Sequence, residues 1–122
     1  MRRPYDGPMI AAILESGEPQ RLYMGLSVLV SAAAGGRPAR ALVGFGALAP
    51  LLDDTPPVDA FTRTLAELRD TAFALEDCRI WACAAAVELT GADRALVEAR
   101  LDGVMSTPRF LEHVAGADLV MV

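Results

Sequence analysis

Two cysteines and one histidine are the side chains of this 122-residue sequence whose chemistry best suits nucleophilic or metal-dependent reactions. Cys83 follows the apolar pair Trp81 and Ala82 and precedes a run of alanines, so a short strand is predicted to pass into a helix at this thiol. The amides and the dipole of a helix N-terminus favour an anion, and the thiolate is the reactive form of cysteine. Cys83 is therefore the candidate nucleophile, and a small buried hydrophobic side chain is the alternative interpretation.

Cys78 lies upstream of Cys83 in the same predicted strand. In a regular strand the Cα atoms of these two residues lie about 16 Å apart and their side chains point to opposite faces. A disulfide requires Cα atoms within about 7 Å of each other. We therefore expect no disulfide between them within one chain, and we interpret Cys78 as a structural residue.

His113 is the only histidine and falls in the last predicted helix. No second histidine or cysteine stands at metal-ligand spacing from it, so no metal site is predicted. An activated cysteine–histidine pair would need this one residue to reach across the fold. An exposed helix position is the favoured interpretation.

A loose G-x-G-x-x-A pattern covers residues 44–49. A dinucleotide-binding fingerprint follows the first strand, opens a regular helix and has an acidic residue at the end of the next strand. This pattern follows the second predicted strand, runs into Pro50 and has no suitably placed acid. It predicts a tight turn beside Cys83, and no cofactor is expected.

Composition limits the class of protein. Hydrophobic residues make up 53% and charged residues 22% of the chain, which is typical of one globular domain spanning residues 1–122. The net charge is −5, and the arginines are scattered, which argues against direct nucleic-acid binding because phosphates require clustered cations.

Two apolar segments bear on localisation. Residues 22–34 are too few to cross a bilayer, and Pro4 and Pro8 interrupt an arginine-led start that would otherwise resemble a signal peptide. We expect a cytoplasmic protein without membrane contact, in which cysteines are thiols.

Alternating apolar runs and helical periodicities predict how these side chains are positioned. Strands are predicted at residues 9–14, 39–44, 77–83, 101–105 and 117–122, the last of them inside the sheet. Helices are predicted at 19–34, 59–75, 84–89, 93–100 and 107–116, and a loop or short helix at 46–54. This alternation predicts an α/β fold with a mainly parallel sheet covered by helices on both faces, in which ligands gather at the carboxyl ends of the strands.

Cys83-Ala84-Ala85-Ala86, followed by Gly91, resembles the cysteine motif of the DsrE/DsrF-like small sulfur-relay proteins. An alanine-rich helix that ends at Gly35-Gly36 is a further similarity, and the resemblance extends over residues 9–122. It implies a three-layer αβα fold with a five-stranded sheet, assembled as a homotrimer or homohexamer.

The resemblance also implies a function. Cys83 would accept a persulfide and pass it on, with another sulfur-carrier protein as a partner. Some relatives carry a peroxiredoxin-like label, but Arg79 and Ile80 stand where peroxiredoxins have Pro and Thr before the cysteine, which argues against peroxidase activity.

The sequence is therefore compatible with three functions. The first is a cysteine-dependent sulfur carrier or sulfurtransferase-like protein that uses Cys83. The second is a non-catalytic oligomeric binding module in which Cys83 is simply buried. The third is a small-ligand or nucleotide cleft along the carboxyl ends of the strands.

Overall fold

A five-stranded parallel sheet organises the computed structural model of this chain, which describes residues 7–122. Its strands are β1 (Ile10–Leu14), β2 (Ala39–Val43), β3 (Cys78–Cys83), β4 (Val104–Met105) and β5 (Asp118–Met121). Their order across the sheet is β4-β3-β2-β1-β5, and every pairing is parallel. The predicted α/β class and parallel sheet are confirmed. The expectation that the chain has no signal peptide depends in part on residues 1–6, which lie outside the described residues.

Six helices connect the strands within the described part of the chain. They are α1 (Pro19–Ala34), α2 (Phe45–Leu52), α3 (Ala60–Ala74), α4 (Ala84–Thr90), α5 (Arg94–Arg100) and α6 (Thr107–His113). Several of their ends follow local sequence signals. Pro19 occupies the first turn of α1, and Gly91 ends α4 with a φ of 69°, a left-handed conformation that favours glycine.

The helices cover both faces of the sheet and so form three layers. On one face, α1 packs against α3, and Gly25 of α1 lies so close to Leu14 that a Cβ there would be 2.6 Å from the Leu14 Cδ2. On the other face, α6 places the ring of Phe110 6.3 Å from the ring of Trp81. The chain returns across the whole sheet after β4, and a right-handed crossover in that direction puts α6 on the opposite face from α1 and α3.

β5 lies at an edge of the sheet, so the prediction that the last strand is inside it is wrong. Within the part of the chain that the structure describes, this strand pairs only with β1, and its side chains Leu119 and Met121 are 52% and 66% exposed. The strands β1 to β4 are added in one direction, so the free side of β1 is the position left for a strand that follows the return crossover. Among residues 7–122, no helix has the length and apolar character needed to cross a membrane.

Candidate functional site

Cys83 lies at the carboxyl end of β3, where it is both the last strand residue and the residue that precedes α4. Its side chain is 8% exposed. Its polar neighbour is Thr107 at the start of α6, whose Oγ1 lies 3.8 Å from the Sγ of Cys83. That distance is compatible with a weak hydrogen bond in which either group can donate. The predicted position of Cys83 at a junction between a strand and a helix is confirmed.

The alternation of side chains along β3 decides which face each cysteine occupies. Trp81 and Cys83 point towards α6, whereas Cys78 and Ile80 point towards α1 and α3. Both cysteines are free thiols, as expected from their opposite faces. Burial, followed by the nearby negative charge of Asp102, raises the pKa of Cys78 from 9.0 to about 11. Cys78 is therefore a neutral, buried thiol at physiological pH.

The expectation that the first amides of α4 point at the Cys83 sulfur is wrong. The Cys83 side chain makes no capping hydrogen bond to that helix. The reason is directional: the Cβ of a strand residue leaves the sheet at right angles, here towards α6, while α4 continues from the backbone. The sulfur consequently meets the side chain at the start of α6 instead of the start of its own helix.

Thr107 is the site residue whose role the sequence did not reveal. The pattern Thr107-Pro108 predicts that Thr107 caps α6, but Ser106 is the cap, because its Oγ accepts a hydrogen bond from the Arg109 amide at 3.3 Å. The Thr107 hydroxyl is thus available to Cys83. The signal that could have identified it is position: Cys83 ends β3 and is in register with Met105, the last residue of the neighbouring β4, and Thr107 follows Met105 by two residues.

His113 lies near the other end of α6 from Thr107. It is exposed, as predicted, and its ring contacts the ring of Trp81 edge-on at a centroid distance of 5.0 Å. It therefore packs beside Trp81 and is not brought to Cys83. Within residues 7–122, no three His, Cys, Asp or Glu side chains are grouped so that they could hold a metal ion.

The two glycines of the G-x-G pattern have different surroundings. A Cβ on Gly46 would lie 2.8 Å from the carbonyl oxygen of Glu15 and 3.1 Å from the amide nitrogen of Gly17. The loop before α1 and the first turn of α2 therefore meet backbone to backbone. Pro50 has no N–H for the carbonyl of Gly46, and Gly17 lies against that carbonyl. Gly46 thus serves close packing at the carboxyl edge of the sheet.

Comparison with known proteins adds no family. No protein-family model matches this chain, and no curated protein matches it. A thiol beside one hydroxyl, in an otherwise apolar setting, is suited to thiol–disulfide or persulfide exchange, where the sulfur itself supplies both nucleophile and leaving group.

Proposed function

We propose that this protein is a small sulfur carrier in which Cys83 accepts and passes on a persulfide. The Cys83 thiolate attacks the outer sulfur of a donor R–S–SH, a bond forms from Sγ to that sulfur, and the donor S–S bond breaks. The donor leaves as the thiolate R–S⁻, which takes the electron pair of the broken bond. The reverse step on an acceptor thiolate regenerates Cys83, so no oxidant or reductant is consumed.

The observation that carries this proposal is the place of the Cys83 sulfur between two strand ends. The sulfur lies at the carboxyl edge of a parallel sheet, the edge where chemistry gathers in such folds, and next to the Thr107 hydroxyl at 3.8 Å. Only small side chains, Ala84 and Ala85, follow it at the start of α4. An added sulfur atom would lie beside the Thr107 hydroxyl, which can donate a hydrogen bond to it, and this makes Thr107 a positioning residue.

A second copy of the chain is the partner that we propose for this carrier, as a homotrimer or homohexamer. The supporting observation is a set of exposed apolar side chains on β5 and α6. There, Leu119 and Met121 of β5 and Leu111 of α6 are 52%, 66% and 48% exposed. Leu111 lies on the flank of α6 away from His113, because two residues turn the helix by about 200°.

The open edge of β5 specifies how a copy would bind there. Among residues 7–122, no strand faces its outer backbone groups, and an unpaired edge pairs readily with another edge. Of the two assemblies, only the homohexamer contains two-fold axes, and such an axis beside β5 would pair the same edge from two copies and bring the apolar side chains of both together, as an isologous interface requires. Another sulfur-carrier protein would then deliver or receive the persulfide at Cys83.

Mass spectrometry after incubation with glutathione persulfide tests the carrier. We expect the wild-type peptide that contains Cys83 to gain one sulfur atom and to lose it again to an added thiol. The Cys78→Ser variant is the matched control and should still gain the sulfur, whereas Cys83→Ser should not. A folded wild-type protein that gains no sulfur, or a Cys83→Ser variant that still gains one, would refute the proposal.

A non-catalytic oligomeric binding module is the second candidate, and the 8% exposure of Cys83 favours it. In that case the thiol is only part of the core beneath α6. Alkylation by iodoacetamide distinguishes the two functions: a carrier reacts at Cys83 while folded, whereas a binding module reacts there only after unfolding in urea. Cys78, which is 3% exposed, is the internal reference for a protected thiol.

A further inference from the structure

An open cleft of about 730 Å³ lies at the carboxyl edge of the sheet, outside the Cys83 site. Its volume falls within the range of about 300–1,000 Å³ that is usual for small-molecule sites. One wall is α2, which contributes Phe45, Leu48 and Leu52, and the opposite wall is the start of α5, which contributes Leu96. Cys83 does not line this cleft, because its side chain points to α6.

An exposed aromatic ring stands in the wall of this cleft. Phe45 is 51% exposed although it begins a helix whose other large side chains, Leu48, Leu51 and Leu52, are buried. Such a ring contributes nothing to the core on its open side. The face of an aromatic ring attracts cations, above all substituted ammonium groups that are partly desolvated.

Two carboxylates complete the lining. Asp53 accepts hydrogen bonds on Oδ1 from the amide and the hydroxyl of Thr55 at 2.8 and 2.6 Å, and these bonds lower the pKa of Asp53. Asp93 accepts on Oδ1 from the amides of Ala95 and Leu96 at 3.0 and 3.3 Å. Within residues 7–122, the Oδ2 atom of neither carboxylate accepts a hydrogen bond, so one oxygen of each remains available to a ligand.

The arginines near the two carboxylates have other partners and lie outside the lining of the cleft, although the charge of Arg69 also lowers the pKa of Asp53. Arg69 bonds to the main-chain carbonyl of Asp53 and pairs with Asp70, and Arg94 pairs with Glu98. No arginine lines the described part of the cleft. A phosphate or carboxylate would therefore meet two carboxylates and no arginine side chain in this lining, which argues against a nucleotide here.

We propose that this cleft binds a small organic cation, an ammonium group carried on an apolar body. The apolar body lies between Leu48, Leu52 and Leu96, and the ammonium group lies over Phe45 within reach of Asp53 and Asp93. This binding does not depend on the proposed sulfur-carrier function, because it uses none of the residues around Cys83.

Three probes that share an apolar body and differ in charge test the proposal: 4-phenylbutylamine, 4-phenylbutanol and 4-phenylbutyrate. Titrations followed by ¹H–¹⁵N NMR report affinity and place. We expect the amine to bind at least about threefold more tightly than the alcohol, from one cation–π contact and one exposed ion pair. Shifts should centre on the amides of Phe45 and Leu96, and the carboxylate should bind most weakly.

Matched variants test the effect of the charge of the cleft on amine binding separately from the effect of its shape. Asp53→Asn with Asp93→Asn keeps both Oδ1 acceptors and so preserves the local turns, but should abolish the preference for the amine over the alcohol. Phe45→Leu keeps the apolar area and should reduce that preference. Glu112→Gln on the opposite face of the sheet is the charge control and should change nothing.

The preference for the amine over the alcohol should also shrink at 0.5 M salt, because the Debye length falls to about 4 Å. Equal affinities for the three probes, or shifts that appear away from α2 and α5, would overturn the proposal. Loss of amine binding in Cys83→Ser would overturn the claimed independence of the two sites, while failure of persulfide transfer would leave the cleft unaffected.

Discussion

Alanine should destabilise the protein at Gly46 but not at Gly44 of the G-x-G pattern, because only Gly46 is packed tightly against backbone. A Cβ at Gly46 would lie 2.8 Å from the Glu15 carbonyl oxygen, whereas a Cβ at Gly44 would lie 3.9 Å from the Leu14 carbonyl oxygen. The second distance is ordinary contact. The first is too short by about 0.5 Å for a carbon and an oxygen, and neither backbone segment can rotate away as a side chain would.

The free-energy changes follow from these contacts. Overpacking costs about 1–3 kcal/mol, and the better helix propensity of alanine in α2 returns up to about 1 kcal/mol, so Gly46→Ala should lower the free energy of unfolding by about 1–2 kcal/mol. Gly17→Ala meets the Gly46 carbonyl without a helical gain and should cost about 3 kcal/mol. Gly44→Ala should stay within about 0.5 kcal/mol, because reduced freedom of the unfolded chain offsets a poorer N-cap.

Urea unfolding followed by the fluorescence of Trp81 measures all three variants, with the slope against urea checked for constancy. A dinucleotide-type turn would need both glycines of the pattern equally. The packing explanation is therefore refuted if Gly44→Ala is as damaging as Gly46→Ala. It is also refuted if Gly17→Ala unfolds with the stability of the wild type.

Three further predictions concern association, pH and the core. Leu119→Glu places a charge on the open edge strand, so a homohexamer should separate into smaller folded assemblies in light scattering, whereas Leu89→Glu on α4, 75% exposed, should not change the mass. The pKa of Cys78 is raised in the folded state to about 11, so the neutral thiol contributes fully to the free energy of unfolding below pH 9. Between pH 9 and pH 11 the free energy of unfolding should therefore fall by roughly 2–3 kcal/mol. The Cys78→Ala variant should lose this part of the pH dependence. Phe110→Ala should cost about 3–5 kcal/mol in urea unfolding, because its fully buried ring holds α6 against Trp81.

Local signals in the sequence were sufficient to predict most of the strands and helices. The apolar run that ends at Cys83 and the alanines after it predict β3 and α4 at nearly their observed bounds. Gly91 predicts the end of α4, because a left-handed residue there is easiest for glycine. Each of these signals acts over a few residues, and that is why a single sequence reveals them.

Contacts between segments that are distant in the sequence were harder to predict. The approach of Thr107 to Cys83 depends on β4 pairing beside β3 and on Ser106 taking the cap of α6. The edge position of β5 depends on which side of β1 stays free. The approach of Gly17 to the Gly46 carbonyl is set jointly by two loops. None of these contacts and strand positions produces a periodicity or a composition that can be recognised in a single segment.

The strand order also has a consequence for how the chain folds. β1 to β4 are neighbours in the order in which they occur along the chain, so each pairing closes only a short loop. The pairing of Ile10 with Asp118 instead joins the first and last strands, and closing that long loop has the largest entropic cost. β5 should therefore be the last strand to dock during folding and the first to detach. Amide hydrogens at the β1–β5 seam should exchange with solvent before those between β2 and β3.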